Sequence, residues 1–464
     1  MFFELPDGIT MTTDRRHPSV RELPADLLTP VAAYLRIREG RERGFLLESV
    51  ERGQQVGRFS FMAAGCQEVE QGNGDLFGPL RQALAEYADV DTSSLPAFCG
   101  GAVGYAAYDA VAQFEPTVRL PDGPAIPPVR FLSTPVVIVF DHVRQSLMVI
   151  AQPGHDEQAD AIATDLLGPL PPGVGPVAPA SSAGESVALL SQAGYEAAVR
   201  RCQEHIGAGD VFQIVPSQRH ERPTATSPFS IYRALRAVNP SPYMVFCDFG
   251  DLQIVSASPE THVSLDRERI ATLKPIAGTR WRGADGEADD QLARELAADE
   301  KELAEHLMLV DLARNDLGRV CEPSTVAVPR QLEVERYSHV MHLVSQVTGR
   351  LRAGEDALSL LAATFPAGTV SGAPKVRAMQ LISEIEGGRR GIYAGALGYL
   401  GFDGAMDTCI ALRTLVVQDG IALLQAGAGI VADSDPASEH RECLNKIAAM
   451  SAAIDLAETG RYGR

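Results

Sequence analysis

Strand-like runs arrive in this chain in antiparallel-looking clusters, and that pattern limits the fold more than any other feature. YMVFCDF, LQIVSAS and RIATLKP follow one another, as do GIYAGALGYLGF, MDTCIALRTLVV and IALLQAGAGIV. The strict strand–helix alternation of a doubly wound parallel sheet is missing, so an α+β fold is expected. In the N-terminal portion, RGFLLESV and VGRFSFMAAG read as strands, and TPVVIVFDH with QSLMVIAQ as a hairpin. Helices are expected over 78–87 and 231–238, and as one long helix over about 285–311. A further helix should start at Ser191 as N-cap, with Tyr195, Val199, Cys202 and Ile206 on one stripe.

One composition break interrupts the chain. Residues 168–186 read GPLPPGVGPVAPASSAGES, nearly uncharged and rich in Pro, Gly, Ala and Ser. This is a linker or long loop. It divides an N-terminal portion, 1–167, from a C-terminal one, 187–464, each of ordinary domain size. An echo crosses the break: GAVGYAAYD at 101–109 and GALGYLGFD at 395–403. It suggests that the two portions present the same strand-turn element to a shared core and are intertwined.

Charge narrows the partners. A formal net charge of -19 gives no electrostatic reason to bind nucleic acid or an anionic membrane. An anionic substrate would then need local positive charge from arginine, lysine, helix N-termini or metal. The seven cysteines are scattered with no CxxC, which argues for a reducing compartment and against a zinc site. The opening MFFELPDGITMTTDRR is too short in apolar run and too acidic for a signal peptide, and no apolar run approaches a membrane span. A cytoplasmic location is expected.

The densest chemistry lies in residues 365–446, with a second contribution upstream. Glu302 and Glu305, in DEKELAEHLMLVD, share a helix face, with Leu303, Leu307 and Val310 as an apolar stripe on another. Glu439 and Glu442, in SDPASEHRECLNK, repeat the spacing, with Asp435 as N-cap, Pro436 as first helical residue and Lys446 four after Glu442. Each pair alone reads as an ordinary amphipathic surface. Two pairs on two helices can also converge on one hard cation such as Mg²⁺. Arg413, in CIALRTLVV, shares a strand face with Ala411 and Leu415. An arginine there serves a salt bridge or captures a substrate carboxylate. GTVSGAPK is not a phosphate loop and GAGIVAD lacks the third glycine of a dinucleotide fingerprint, yet both can offer backbone N–H groups to an anion.

Ten ordered segments carry a resemblance. They are GDVFQIVPSQR, NPSPYMVF, SASPE, PIAGTRWRG, DEKELAEHLMLVDLARND, YSHVMHLVS, GTVSGAPKVRAM, YAGALGY, DTCIALRT and GAGIVADSDPASEHRECLNK. Together the chain resembles the chorismate-utilising enzymes, and among them the anthranilate synthase large subunits. The resemblance implies their fold, large mostly antiparallel sheets sandwiched by helices. It implies that Glu302, Glu305, Glu439 and Glu442 surround Mg²⁺, which holds the ring carboxylate of chorismate. Gly427, Ala428 and Gly429 would lie against the substrate, with Lys446 nearby. Tyr393 and Arg413 would grip the enolpyruvyl carboxylate, and Thr279 and Thr369 would line the pocket. Glu260 would be the general acid for the departing 4-hydroxyl, and His342 would support pyruvate elimination.

Two positions choose among family members. Gln213 stands where the water-using relatives carry a lysine base, which favours ammonia as nucleophile. Ala277, in PIAGT, stands where aminodeoxychorismate synthase carries a nucleophilic lysine, so ammonia must add directly, ortho to the carboxylate. Anthranilate is then the product, with aminodeoxychorismate synthesis and a non-catalytic chorismate- or tryptophan-binding regulator as rivals. Leu46, Leu47, Glu48 and Ser49, with Pro242, Tyr243 and Met244, resemble the family's elements for tryptophan as feedback inhibitor. The resemblance also implies ammonia from a separate glutamine amidotransferase subunit, hence a hetero-oligomer. The one departure from the common motif is Trp281, where proline is usual; it is expected at the surface or the site mouth.

Overall fold

Every residue of the strand Gly44–Glu48 is buried, which requires cover on both faces. Phe45 and Leu47 enter one hydrophobic core and Leu46 another. The same split recurs at Val245 and Cys247 against Phe246, and at Ile254 against Val255. The computed structural model describes residues 16–49, 57–70, 74–123, 126–171, 184–337 and 340–460. In it this alternation builds four layers. Two antiparallel sheets, of eleven and ten strands among the described residues, face each other across a core containing Phe45, Phe98, Tyr105 and Ile254. Helices Pro30–Ile37, Asp156–Leu167, Pro228–Val238 and Pro436–Thr459 cover the outer face of the larger sheet. Helices Gln192–Gly207, Glu300–Gly318, Ala357–Thr364 and Lys375–Glu386 cover the other.

Both sheets draw strands from either side of residues 168–186, so the two portions are intertwined. The strand Gly44–Glu48 pairs with Tyr243–Asp248, and Gly101–Ala106 pairs with Ala396–Gly401. The second junction is the sequence echo: its two copies lie side by side, with Gly104 opposite Gly398. A Cβ on Gly104 would sit 2.0 Å from the Arg130 carbonyl oxygen, which explains the glycine there. Residues 172–183 of the expected linker lie outside the described residues.

Several local expectations needed correction. The helix expected over 285–311 is two helices, Gly286–Ala298 and Glu300–Gly318. Asp299 breaks them and caps the second, accepting from the Lys301 and Glu302 N–H groups at 3.1 and 3.2 Å. The run MDTCIALRTLVV is not one strand. Met406–Ile410 belongs to the ten-stranded sheet and Thr414–Gln418 to the eleven-stranded one, so the alternation expected through Arg413 does not hold. Likewise VFQIVPSQR divides into Gln213–Ile214 and Ser217–Pro223. On helix Glu300–Gly318 the buried face runs through His306, Leu309 and Val310, while Leu307 is 42 % exposed. Of the expected stripe, Val310 is buried and Leu303 packs against a core, and Leu307 alone departs from it. The side bearing Glu305 lies next to the buried His306 and Leu309, because the helix turns that side inward.

Other elements agree with expectation. Ser191 and Asp435 cap their helices, Pro436 opens the second of these, and the hairpin Val136–Asp141 with Ser146–Ala151 pairs antiparallel. All seven cysteines are free and buried. Among the described residues no helix is long and apolar enough to cross a membrane.

Candidate active site

Where the chain crosses between the sheets at 411–413, a cavity of about 510 Å³ opens, with Glu260, Ala277, Thr279, His342, Tyr393, Arg413, Gly427 and Lys446 in its wall. Arg413 sits at the crossing with φ 47°, a left-handed conformation that non-glycine residues rarely hold. Its guanidinium has no hydrogen-bond or ion-pair partner among the described residues, and burial lowers its pKa. A half-buried cation without a counter-charge is an anion site in waiting.

Across the cavity, burial pushes the Glu260 carboxyl up to about 7. The Thr369 hydroxyl, donating to Glu260 Oε1 at 2.8 Å, and the Lys446 charge both oppose that rise and lose to it. At neutral pH a large share of Glu260 therefore carries a proton. His342 Nδ1 lies 2.9 Å from the Gly278 carbonyl oxygen, which can only accept. Nδ1 thus holds the proton, and Nε2 keeps its lone pair. Burial, with the charge of Arg413 adding to it, keeps the ring neutral. The Thr279 hydroxyl stands 3.1 Å from the same Nδ1.

The wall formed by strand Ile421–Gly427 shows why glycine is required. A Cβ on Gly427 would come within 2.6 Å of the Pro216 carbonyl oxygen and 2.8 Å of the Tyr393 hydroxyl. Lys446 donates to the Gly427 carbonyl at 2.9 Å and pairs with Glu442 at 2.8 Å. On Gly429 a Cβ would approach Gln213 Nε2 to 2.9 Å, and that nitrogen donates to Glu305 Oε1 at 2.8 Å. Ala428 is buried in the core and donates its N–H to Pro216, outside the cavity wall. Thr369 reaches the site through Glu260 and lines a small adjoining cavity of about 50 Å³.

The four glutamates stand beyond this wall. Glu302 and Glu305 occupy the first turns of one helix, Glu439 and Glu442 those of another. A Lys301–Asp433 ion pair at 2.9 Å ties the two helix starts together. Glu302 is paired with Arg280 at 3.0 Å, Glu305 with Gln213, and Glu442 with Lys446. Glu439 has its pKa raised, first by burial and then by Glu442. Among the described residues no three acidic, histidine or cysteine side chains are gathered closely enough to hold a metal ion. The donor set, all carboxylate, nevertheless fits a hard divalent cation in its chemistry.

A second cavity of about 420 Å³ adjoins the first, and Leu47, Glu48, Ser49, Pro242, Tyr243 and Met244 all line it. The strand pairing of Glu48 with Met244 brings the two segments together. Glu48 accepts from the Tyr232 hydroxyl at 2.7 Å and pairs with Arg236 at 3.0 Å. Tyr243 donates to Asp407, whose carboxyl burial pushes up to about 6. The Ser49 hydroxyl is buried without a hydrogen-bond partner. Phe59, Phe61 and Tyr399 add aromatic wall. Pro242, Pro259, Ile276 and Tyr337 belong to both cavities.

Trp281 ends the strand Ile276–Trp281, lines the larger cavity and is 75 % exposed, at its mouth. Sequence reasoning missed Tyr337, which meets the His342 ring edge-on at 5.6 Å, and Gln425 in the cavity wall. It also missed the hold of Arg280 on Glu302. No spacing rule links residues that meet only through tertiary packing.

The model of the chorismate binding enzyme family matches residues 43–452. The chain is 49 % identical to anthranilate synthase component 1 of Thermus thermophilus, over 96 % of this chain and all of that protein. It is 46 % identical to the Streptomyces coelicolor protein of that name, over 95 % of this chain and 89 % of the other. The crystal structure of anthranilate synthase component I from Streptococcus pneumoniae superposes with a TM-score of 0.77 at 37 % identity, covering 92 % of this chain and 99 % of that one. The menaquinone-specific isochorismate synthase of Escherichia coli shares the fold, with a TM-score of 0.73 at 21 % identity over 95 % of each chain.

Proposed function

The chain belongs to the chorismate-binding enzymes, and we propose that within this family it is the large subunit of an anthranilate synthase. The observation that carries this reading is the pairing, in one cavity, of an arginine that lacks an anion with a buried acid that keeps its proton near pH 7. Arg413 and the Tyr393 hydroxyl hold the enolpyruvyl carboxylate of chorismate, and Lys446 adds positive charge. Ammonia adds at C2 while the 4-hydroxyl leaves as water, taking the proton of Glu260. A hydroxide would leave too slowly without that donor. His342, its tautomer held by Gly278, then takes the C2 proton through Nε2 as the C3–O bond breaks, and the expelled enolpyruvate takes a proton from water at its methylene carbon to become pyruvate. Gln213 spends its amide N–H on Glu305 and supplies no base for water. Ala277 supplies no nucleophile, which disfavours the 4-amino product. Glu302, Glu305, Glu439 and Glu442 would hold Mg²⁺, which supplies positive charge for the ring carboxylate.

L-Tryptophan is the proposed occupant of the 420 Å³ cavity, as feedback inhibitor. The Asp407 carboxyl suits its ammonium, the aromatic wall suits its indole, and Ser49 has a hydroxyl to give. The four shared wall residues supply a physical route from one ligand to the other. Ammonia would come from a glutamine amidotransferase subunit in a cytoplasmic hetero-oligomer, with a high ammonium concentration replacing that subunit in vitro. Protein incubated with chorismate, Mg²⁺ and ammonium should develop anthranilate fluorescence. A 4-amino product, or no product, would contradict this reading.

A further inference from the structure

Glu302 does not stand open to a ligand. Its Oε1 accepts from Arg280 Nη1 at 3.0 Å, and Arg280 Nη2 donates to Asp299 Oδ2 at 2.7 Å. Local backbone builds this clamp. The pairing register shifts between Ala277 and Thr279, and Gly278 takes φ 67°. A Cβ there would stand 3.0 Å from Glu302 Oε2, so the bulge brings the edge strand against the carboxylate. The Arg280 and Glu302 side chains are 28 % and 24 % exposed, so water screens this pair less than Lys446–Glu442, at 40 % and 53 %.

We infer that Arg280 competes with the metal for Glu302: it parks the carboxylate against the strand Ile276–Trp281 and must release it before the four glutamates converge. The inference rests on the metal reading given above. A Lys301–Asp433 ion pair ties the starts of the two glutamate-bearing helices together, and of the four glutamates Glu302 is the one that Arg280 holds. With no cation at Glu302, the guanidinium would offset like-charge repulsion in an acidic protein. Once a divalent cation approaches Glu302, the same guanidinium is a like charge beside it, and its hold on Oε1 must be broken. The opposite role, a supporting arm that aims Glu302 at the metal, has the opposite sign: losing it would weaken metal binding.

The test titrates Mn²⁺ into protein with excess chorismate in ammonium-free buffer, reading free Mn²⁺ by electron paramagnetic resonance. Wild type should bind, and Glu302→Gln should bind more weakly. Arg280→Gln should bind about three- to tenfold more tightly than wild type. Arg280→Lys keeps the charge but loses the two-pronged grip, so it should fall between them and serves if Arg280→Gln does not fold. No Mn²⁺ binding by wild type, or none lost in Glu302→Gln, would overturn the metal reading and this inference with it. Weakening in Glu302→Gln without tightening in either Arg280 variant would overturn the inference alone.

Discussion

Two cavities of similar size share four wall residues and differ in what the rest of their walls offer. The larger presents Arg413 and Lys446 as cations, with Glu260 held close to neutral by burial. The smaller presents Glu48, Glu335 and Asp407 together with Arg58 and Lys274, beside Phe59, Phe61 and Tyr399. Volume and position within the sandwich cannot separate their ligands; the walls can, because the larger holds a guanidinium without an ion-pair partner among the described residues and the smaller holds three aromatic rings among groups of both charges. The difference also shows how a chain of net charge -19 can receive an anion: where the backbone crosses between sheets it places a guanidinium that has no partner among the described residues.

The comparison can be broken from either side. The largest effect should come from Arg413→Ala. Losing the guanidinium should weaken chorismate affinity about a hundredfold, measured by calorimetry, while tryptophan affinity holds. Equal loss of both ligands would mean that the cavities are not chemically distinct. A smaller effect is expected from Ser49→Arg, which fills the second cavity beside Glu48. The tryptophan concentration for half-inhibition should rise about tenfold or more, read from anthranilate fluorescence at fixed chorismate. Unchanged inhibition would remove tryptophan from that cavity.

Much of this arrangement was legible in the sequence, for reasons that differ by element. The α+β class followed from clustered strands, and the caps at Ser191 and Asp435 are local chemistry that a few residues specify. Residues 47–49 and 242–244 were grouped by resemblance, and the pairing of Glu48 with Met244 is the geometry behind it. The misreadings have one physical root. A run such as CIALRTLVV keeps its apolar alternation while the chain leaves one sheet and enters another. Only packing against two different neighbours reveals the break at Arg413. The helix break at Asp299 hid similarly, because a cap inside a helix-favouring stretch looks like one more acidic surface residue. Arg280 on Glu302 was invisible for the same reason as Tyr337 on His342: each is a contact between elements.

The claim on which the chemistry turns is that Glu260 is the proton donor. Its most direct test is the pH dependence of kcat at saturating chorismate, with Glu260→Gln as control. Burial raises the Glu260 carboxyl to about 7, and the protonated form is the active one. Wild-type kcat should therefore fall as pH rises through that value, and Glu260→Gln should lose about a thousandfold in kcat and the titration with it. A kcat that rises with pH across this range, or a Glu260→Gln variant that keeps the wild-type profile, would contradict the account.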